Sequence, residues 1–127
     1  MPELDFHGLE WVFSAVLAVV FLVTGVIKAF RYEQARERFP WVKDVPRALV
    51  RVIGIVEILG AVGLILPAAT GLYPWLTTVA AIALGILMIM AIQFHLRRRE
   101  NTEATLSLVL LAFLIFVAYV RWPLLPS

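Results

Sequence analysis

Long apolar runs separated by short polar connections dominate the chain. Four of them, residues 9–30, 48–66, 74–96 and 105–122, match the about 20 residues that a helix needs to cross a bilayer. Each run is continuous rather than alternating, which excludes a β-barrel. Prolines punctuate the runs: the second ends at Pro67, Pro74 stands in the first turn of the third, and the fourth stops before Pro123. The pattern predicts an all-α fold, a single domain over residues 1–127 built as an antiparallel four-helix transmembrane bundle. No internal repeat or low-complexity segment interrupts it.

The connections differ in character. The first, RYEQARERFPWVKDVPR, is charged and predicts a short interfacial helix broken at Pro40 and Pro46, with Phe39, Trp41 and Val45 dipping into the headgroup region. The second, PAATGLYP, is short and uncharged. The third, RRRENTE, is short and basic, and Asn101 or Thr102 is placed to cap the fourth helix. Lys28, Arg31, Arg36, Arg38, Lys43, Arg47 and Arg51 flank the first connection, and Arg97, Arg98 and Arg99 lie in the third. In an up-down bundle these two connections share a side. Arg121 falls on the other, where it is expected to be an outer-surface anchor.

The positive-inside rule then puts connections one and three in the cytoplasm and both termini outside, in a bacterial-type inner (plasma) membrane. Trp11, Tyr73, Trp75, Tyr119 and Trp122 form an outer aromatic belt, with Trp41 on the inner face. The first ten residues contain no Lys or Arg, so the first run reads as a membrane span rather than a cleaved leader.

Composition agrees. Of 127 residues, 62% are hydrophobic and 16% charged, and the mean hydropathy is +0.93. No soluble domain of this size buries so much apolar surface. With no cysteine, disulfides, thiol redox chemistry and thiolate-held metals drop out. Only His7 and His95 offer imidazole, so no metal site is expected. The net charge of +2 is small and the basic residues sit at span ends, which argues against a nucleic-acid partner.

Against this background Glu57 stands out. From Val52 to Leu72 only Glu57 and Thr70 are polar. A carboxylate there lies about 15 Å into its helix at 1.5 Å per residue, where insertion scales put its cost at about 2.5–3.5 kcal/mol. It must be protonated, paired or in contact with water. Lys28 and His95 occupy comparable places near the ends of the first and third runs, in the same half of the bundle. Small residues accompany each: Gly25 and Thr24 with Lys28, Gly54, Gly60 and Ala61 with Glu57, Ala91 with His95. Such residues let helices approach closely around a polar pocket. A buried Glu–Lys pair is weak evidence for stability alone, and the trio combines an acid, a base and a cation suited to proton transfer or to holding a polar head.

Blander readings stay open. Lys28 reads equally as snorkelling to the surface, His95 as an interfacial residue beside the arginines, and Glu57 as a packing lock paired with Lys28 or Arg51. Gly60 and Gly63 suit packing within the chain or dimerisation.

In these segments the chain resembles the DoxX-like family of small four-helix membrane proteins. The likeness is carried by FLVTGVIK in the first span, RVIGIVEILGAVGLILP in the second, AIQFHLRRRE closing the third and FVAYVR closing the fourth. It implies four transmembrane helices and the motif positions Gly25, Lys28, Gly54, Glu57, Gly60, Pro67, His95 and Arg121. The family's namesake is a subunit of a thiosulfate:quinone oxidoreductase, and other members are linked to redox stress. A redox role here would therefore need a borrowed cofactor or quinone. In architecture alone the chain is also similar to four-helix sterol-handling proteins of the EXPERA type.

The resulting expectation is an intramembrane site in which Glu57, His95 and Lys28 carry any proton chemistry and Arg51, Thr24, Gly54 and Ala91 contact the ligand. The ligand would be a small hydrophobic molecule such as a quinone or lipid, with no intrinsic cofactor and no metal. The competing expectation is a non-catalytic accessory or scaffold subunit of a membrane redox complex. Membrane lipids, a redox partner and a second copy of the chain are the candidate partners. A proton or solute pathway is disfavoured, because the outer half of the bundle offers few polar groups.

Overall fold

The computed structural model describes residues 6–73 and 75–121. Four long helices follow the four apolar runs: α1 (Phe6–Phe30), α3 (Arg47–Thr70), α4 (Trp75–Arg97) and α5 (Asn101–Val120). All four are long and apolar enough to cross a membrane. A helix satisfies its own backbone, which is why continuous apolar sequence takes this form where water is absent. The charged connection folds as a short helix, α2 (Tyr32–Arg38), and a single 3₁₀ turn (Val42–Asp44). The side chain of His7, and Pro74, Trp122 and Pro123, lie outside the described residues.

Helix α1 packs on α3, α3 on α4, α4 on α5, and α5 closes the ring against α1. Gly25 meets Gly54, Gly60 meets Leu84 and Gly63 meets Ala80, pairings that run antiparallel. Both Gly60 and Gly63 are thus used for packing inside the chain. The main core joins all four helices through Leu17 and Phe21, Ala61 and Leu64, Ala81, Leu84 and Met88, and Leu114 and Val117. Stacking of Phe13 on Phe113, with centroids 4.9 Å apart, strengthens the α1–α5 seam. Large apolar side chains such as Val19, Leu59, Met90 and Ile115 point outward, as lipid-facing positions should.

The helix ends differ from the sequence expectation in three places. Helix α3 does not stop at Pro67 but runs one turn on to Thr70. Proline removes one N–H without forbidding the helical φ, and the stop comes at Gly71, whose φ of 76° is left-handed and whose N–H donates to the Pro67 carbonyl at 3.0 Å. Helix α5 begins at Asn101, and neither Asn101 nor Thr102 caps it: Glu100 is the N-cap and forms no side-chain cap. The third difference concerns Phe39, Trp41 and Val45. Instead of dipping into lipid, they turn inward, where Trp41 joins Ala35, Val42 and Val50 in a second apolar cluster with Phe39 and Val45 packed against it. The residue before a proline leaves the helical region, so Phe39 (φ −119°, ψ 106°) ends α2 and sends the chain back over the bundle.

The α1–α3 contact generates a sharp test. A Cβ on Gly54 would lie 2.6 Å from the backbone of Ala29 and of Gly25, neither of which can move aside alone. Gly54→Ala should therefore lower stability by about 1–3 kcal/mol, the usual range for overpacking. Gly85→Ala, inside α4 and with a Leu111 methyl at 3.5 Å as the nearest atom, should instead be neutral or stabilising by up to about 1 kcal/mol. Thermal melting of both variants in detergent checks the contrast.

Candidate functional site

Glu57 lies one turn from Gly54 on α3, and Lys28 one turn from Gly25 on α1, so both residues share the face of the closest helix contact. That proximity lets Lys28 Nζ donate to Glu57 Oε1 at 3.0 Å, with the two side chains only 11% and 3% exposed. Thr24 stands beside the carboxylate, and its hydroxyl donates to the Val20 carbonyl at 2.9 Å. The inward-folded connection supplies a roof. The Phe39 and Trp41 ring centres lie 5.2 and 5.3 Å from Lys28 Nζ, within cation–π range.

Trp41 also touches His95, linking it to the ion pair. Its ring packs edge-on against His95 at 6.1 Å and Phe94 at 5.8 Å. His95 is buried and turns its Nδ1 to Glu100 Oε1 at 2.9 Å. Arg98 Nε donates to the same oxygen at 3.0 Å, and its Nη2 reaches Asp44 at 2.8 Å. The Asp44–Arg98 pair thus ties the 3₁₀ turn to the α4–α5 connection and holds the roof down. A tight turn makes this latch: Arg99 adopts φ 60°, and the Glu100 N–H donates to the His95 carbonyl at 2.9 Å. Burial alone pushes the Glu100 carboxyl up, but hydrogen bonds from His95 and Arg98 and their charges outweigh it, holding the group below the ordinary value.

The sequence-derived residues are therefore only partly gathered. Lys28, Glu57, Thr24 and Gly54 meet at one place. His95 reaches it only through Trp41. Ala91 is partly buried and packs on the main core. Arg51 is exposed, and its side chain forms no ion pair or hydrogen bond among the described residues. The roof and its latch, Phe39, Trp41, Asp44, Arg98 and Glu100, were not anticipated as part of the site.

A second correction concerns Arg121. It is not an outer-surface anchor: Arg121 Nη2 donates to Glu10 Oε2 at 2.6 Å, with the side chains 9% and 0% exposed. Ser14 donates to the other Glu10 oxygen at 2.6 Å, and Thr78 donates to the Arg121 carbonyl at 3.1 Å. A lone acid at the start of the first span and a lone base at the end of the last share one side of an up-down bundle. That opposition of charge was the available signal.

Two consequences can be measured. Glu57→Leu strands a buried Lys28 and should cost about 3–5 kcal/mol, whereas Lys28→Met combined with Glu57→Leu should recover most of it; a double-mutant cycle by thermal melting reads this. The second concerns acid. Because the folded Glu100 lies below its unfolded value of 4.5, its stabilisation is complete above that value and is lost as pH falls through the folded one. Glu100→Gln should flatten the acid limb of the melting-temperature profile and leave a lower plateau at neutral pH.

No curated protein and no solved structure matches the chain. The model of the DoxX-like family matches residues 12–117, a stretch that takes in the Lys28–Glu57 pair, its roof and its latch, and the chain belongs to that family.

Proposed function

We propose that the chain binds a small hydrophobic molecule by its polar head, a quinone or a lipid, at the Lys28–Glu57 pair. The observation that carries this reading is the pair itself, a cation and a carboxylate inside an apolar bundle under two aromatic rings. Intramembrane ionisable groups are expensive and mark functional sites by default. Lysine has three donors, and Nζ gives one to Glu57, so others remain for a carbonyl oxygen of the ligand. Phe39 and Trp41 would flank a planar head with the Thr24 side chain at its edge, while Gly54 is filled by α1 and serves only to bring the two helices together. Where proton transfer accompanies binding, Glu57 is the group that gives or accepts the proton. His95 acts by holding Trp41 and the latch, and Arg51 and Ala91 lie outside the contacts. By the positive-inside rule the end carrying the basic connections faces the cytoplasm of a bacterial-type inner membrane.

A second reading, an accessory subunit whose ion pair only locks helices together, draws on the position of the pair beside the Gly25–Gly54 contact. One experiment separates them: gentle extraction from the native membrane, mass spectrometry of co-purifying small molecules, and the same for Glu57→Gln. The amide oxygen still accepts from Lys28, so the variant is expected to stay folded and lose a quinone or lipid that the parent retains. An empty parent together with an unfolded variant would replace ligand binding with the locking role.

A further inference from the structure

The buried polar centre at the other end of the bundle has a defined deficit. Glu10 is fully accounted for, since one oxygen accepts from Ser14 and the other from Arg121. Two groups are not: Thr77 Oγ1 and Arg121 Nε are both buried without a hydrogen-bond partner among the described residues. Both belong to one level of the structure, because Thr78, the neighbour of Thr77, bonds the Arg121 backbone. Buried polar groups are nearly always satisfied, so two orphans at one level of the bundle point to something that completes them.

The chemistry of the deficit selects the class. Arg121 Nε can only donate and the Thr77 hydroxyl can donate as well as accept, so an oxygen acceptor is the one group that can satisfy both. The centre is already neutral, with Glu10 offsetting Arg121. An anion would meet the Glu10 carboxylate and a cation the guanidinium, so the acceptor is uncharged. Glu10 and Thr77 lie at the start of their spans and Arg121 just past the end of its own. That is the boundary between hydrocarbon and headgroups, where carbonyl groups of membrane-soluble molecules lie. The Trp11 ring sits 5.1 Å above the guanidinium and is itself exposed, making it the cover on the lipid side.

We infer that Thr77 and Arg121 form a second binding site, separate from Lys28–Glu57, for an uncharged carbonyl oxygen presented by a membrane molecule. The carbonyl is of the ester type in a glycerolipid or of the ketone type in a quinone.

The test uses the full chain in nanodiscs of diester phosphatidylcholine and of its dialkyl-ether analogue, which differ in the carbonyl alone. The parent should melt about 3 °C or more higher in the diester lipid. Thr77→Val, equal in shape, should lose that difference, and Thr77→Ser, which keeps the hydroxyl, should retain it. Should the parent respond instead to ubiquinone or menaquinone added to ether discs, and Thr77→Val not respond, the site stands with a ketone as its ligand. A parent indifferent to ester and quinone alike would overturn the inference. So would a Thr77→Val variant as stable as the parent in every disc, or one weakened equally in all, since the hydroxyl would then serve the protein or a water molecule only.

Discussion

The approach of α1 to α3 at Gly25 and Gly54 is the contact on which the rest of the basic end depends. Neither position tolerates a Cβ without backbone movement, so backbone meets backbone at this crossing. Closeness at that level determines what lies one turn away on each. Lys28 and Glu57 meet at 3.0 Å because their backbones are held together, and the cation is then near enough to the returning chain to lie under Phe39 and Trp41. In a bilayer this arrangement has no aqueous fallback, since a polar group that loses its partner there has no water to turn to.

Polar chemistry is concentrated at two levels and excluded between them. Along α1, Ser14 belongs to one centre and Thr24 to the other, an interval of about 15 Å at 1.5 Å per residue. Leu17 and Phe21 occupy that interval and pack with Leu64, Leu84 and Leu114. A continuous relay of hydrogen bonds is hard to accommodate in such a core. The buried polar residues at the Glu10–Arg121 end, more numerous than expected, therefore form a second polar centre that the apolar core separates from the Lys28–Glu57 pair.

Much of this was legible in the sequence. Hydropathy alone marked the four spans, and Glu57 with Lys28 stood out because ionisable groups are so rare inside such runs. The glycines indicated which faces would come together. The roof was not legible: Phe39, Trp41 and Val45 are apolar residues in a charged segment, a pattern equally suited to lying on lipid or folding onto protein. Only the edge-on packing of Trp41 against Phe94 and His95 decides between them. Arg121 was misread because a guanidinium at a helix end ordinarily faces water, and its partner is 111 residues away, beyond the reach of any local pattern. At Pro67 the weight given to proline was too great, since the residues after it are good helix formers and the glycine at 71 provides the stop.

The two ion pairs also differ in when they can exist. Lys28 and Glu57 are 29 residues apart, so they can join as soon as the second long helix has left the ribosome. Glu10 lies in α1 and Arg121 just past α5, 111 residues away, so the carboxylate must wait for all four long helices to be made before it meets its guanidinium. Until then α1 resides in the membrane with an uncompensated acid at one end, a costly state that favours keeping that end near the aqueous boundary. Arrival of the final span relieves it. Closure of the ring is thus coupled to the synthesis of α5, and a product truncated before that helix would keep the unpaired acid as a mark of its unfinished state.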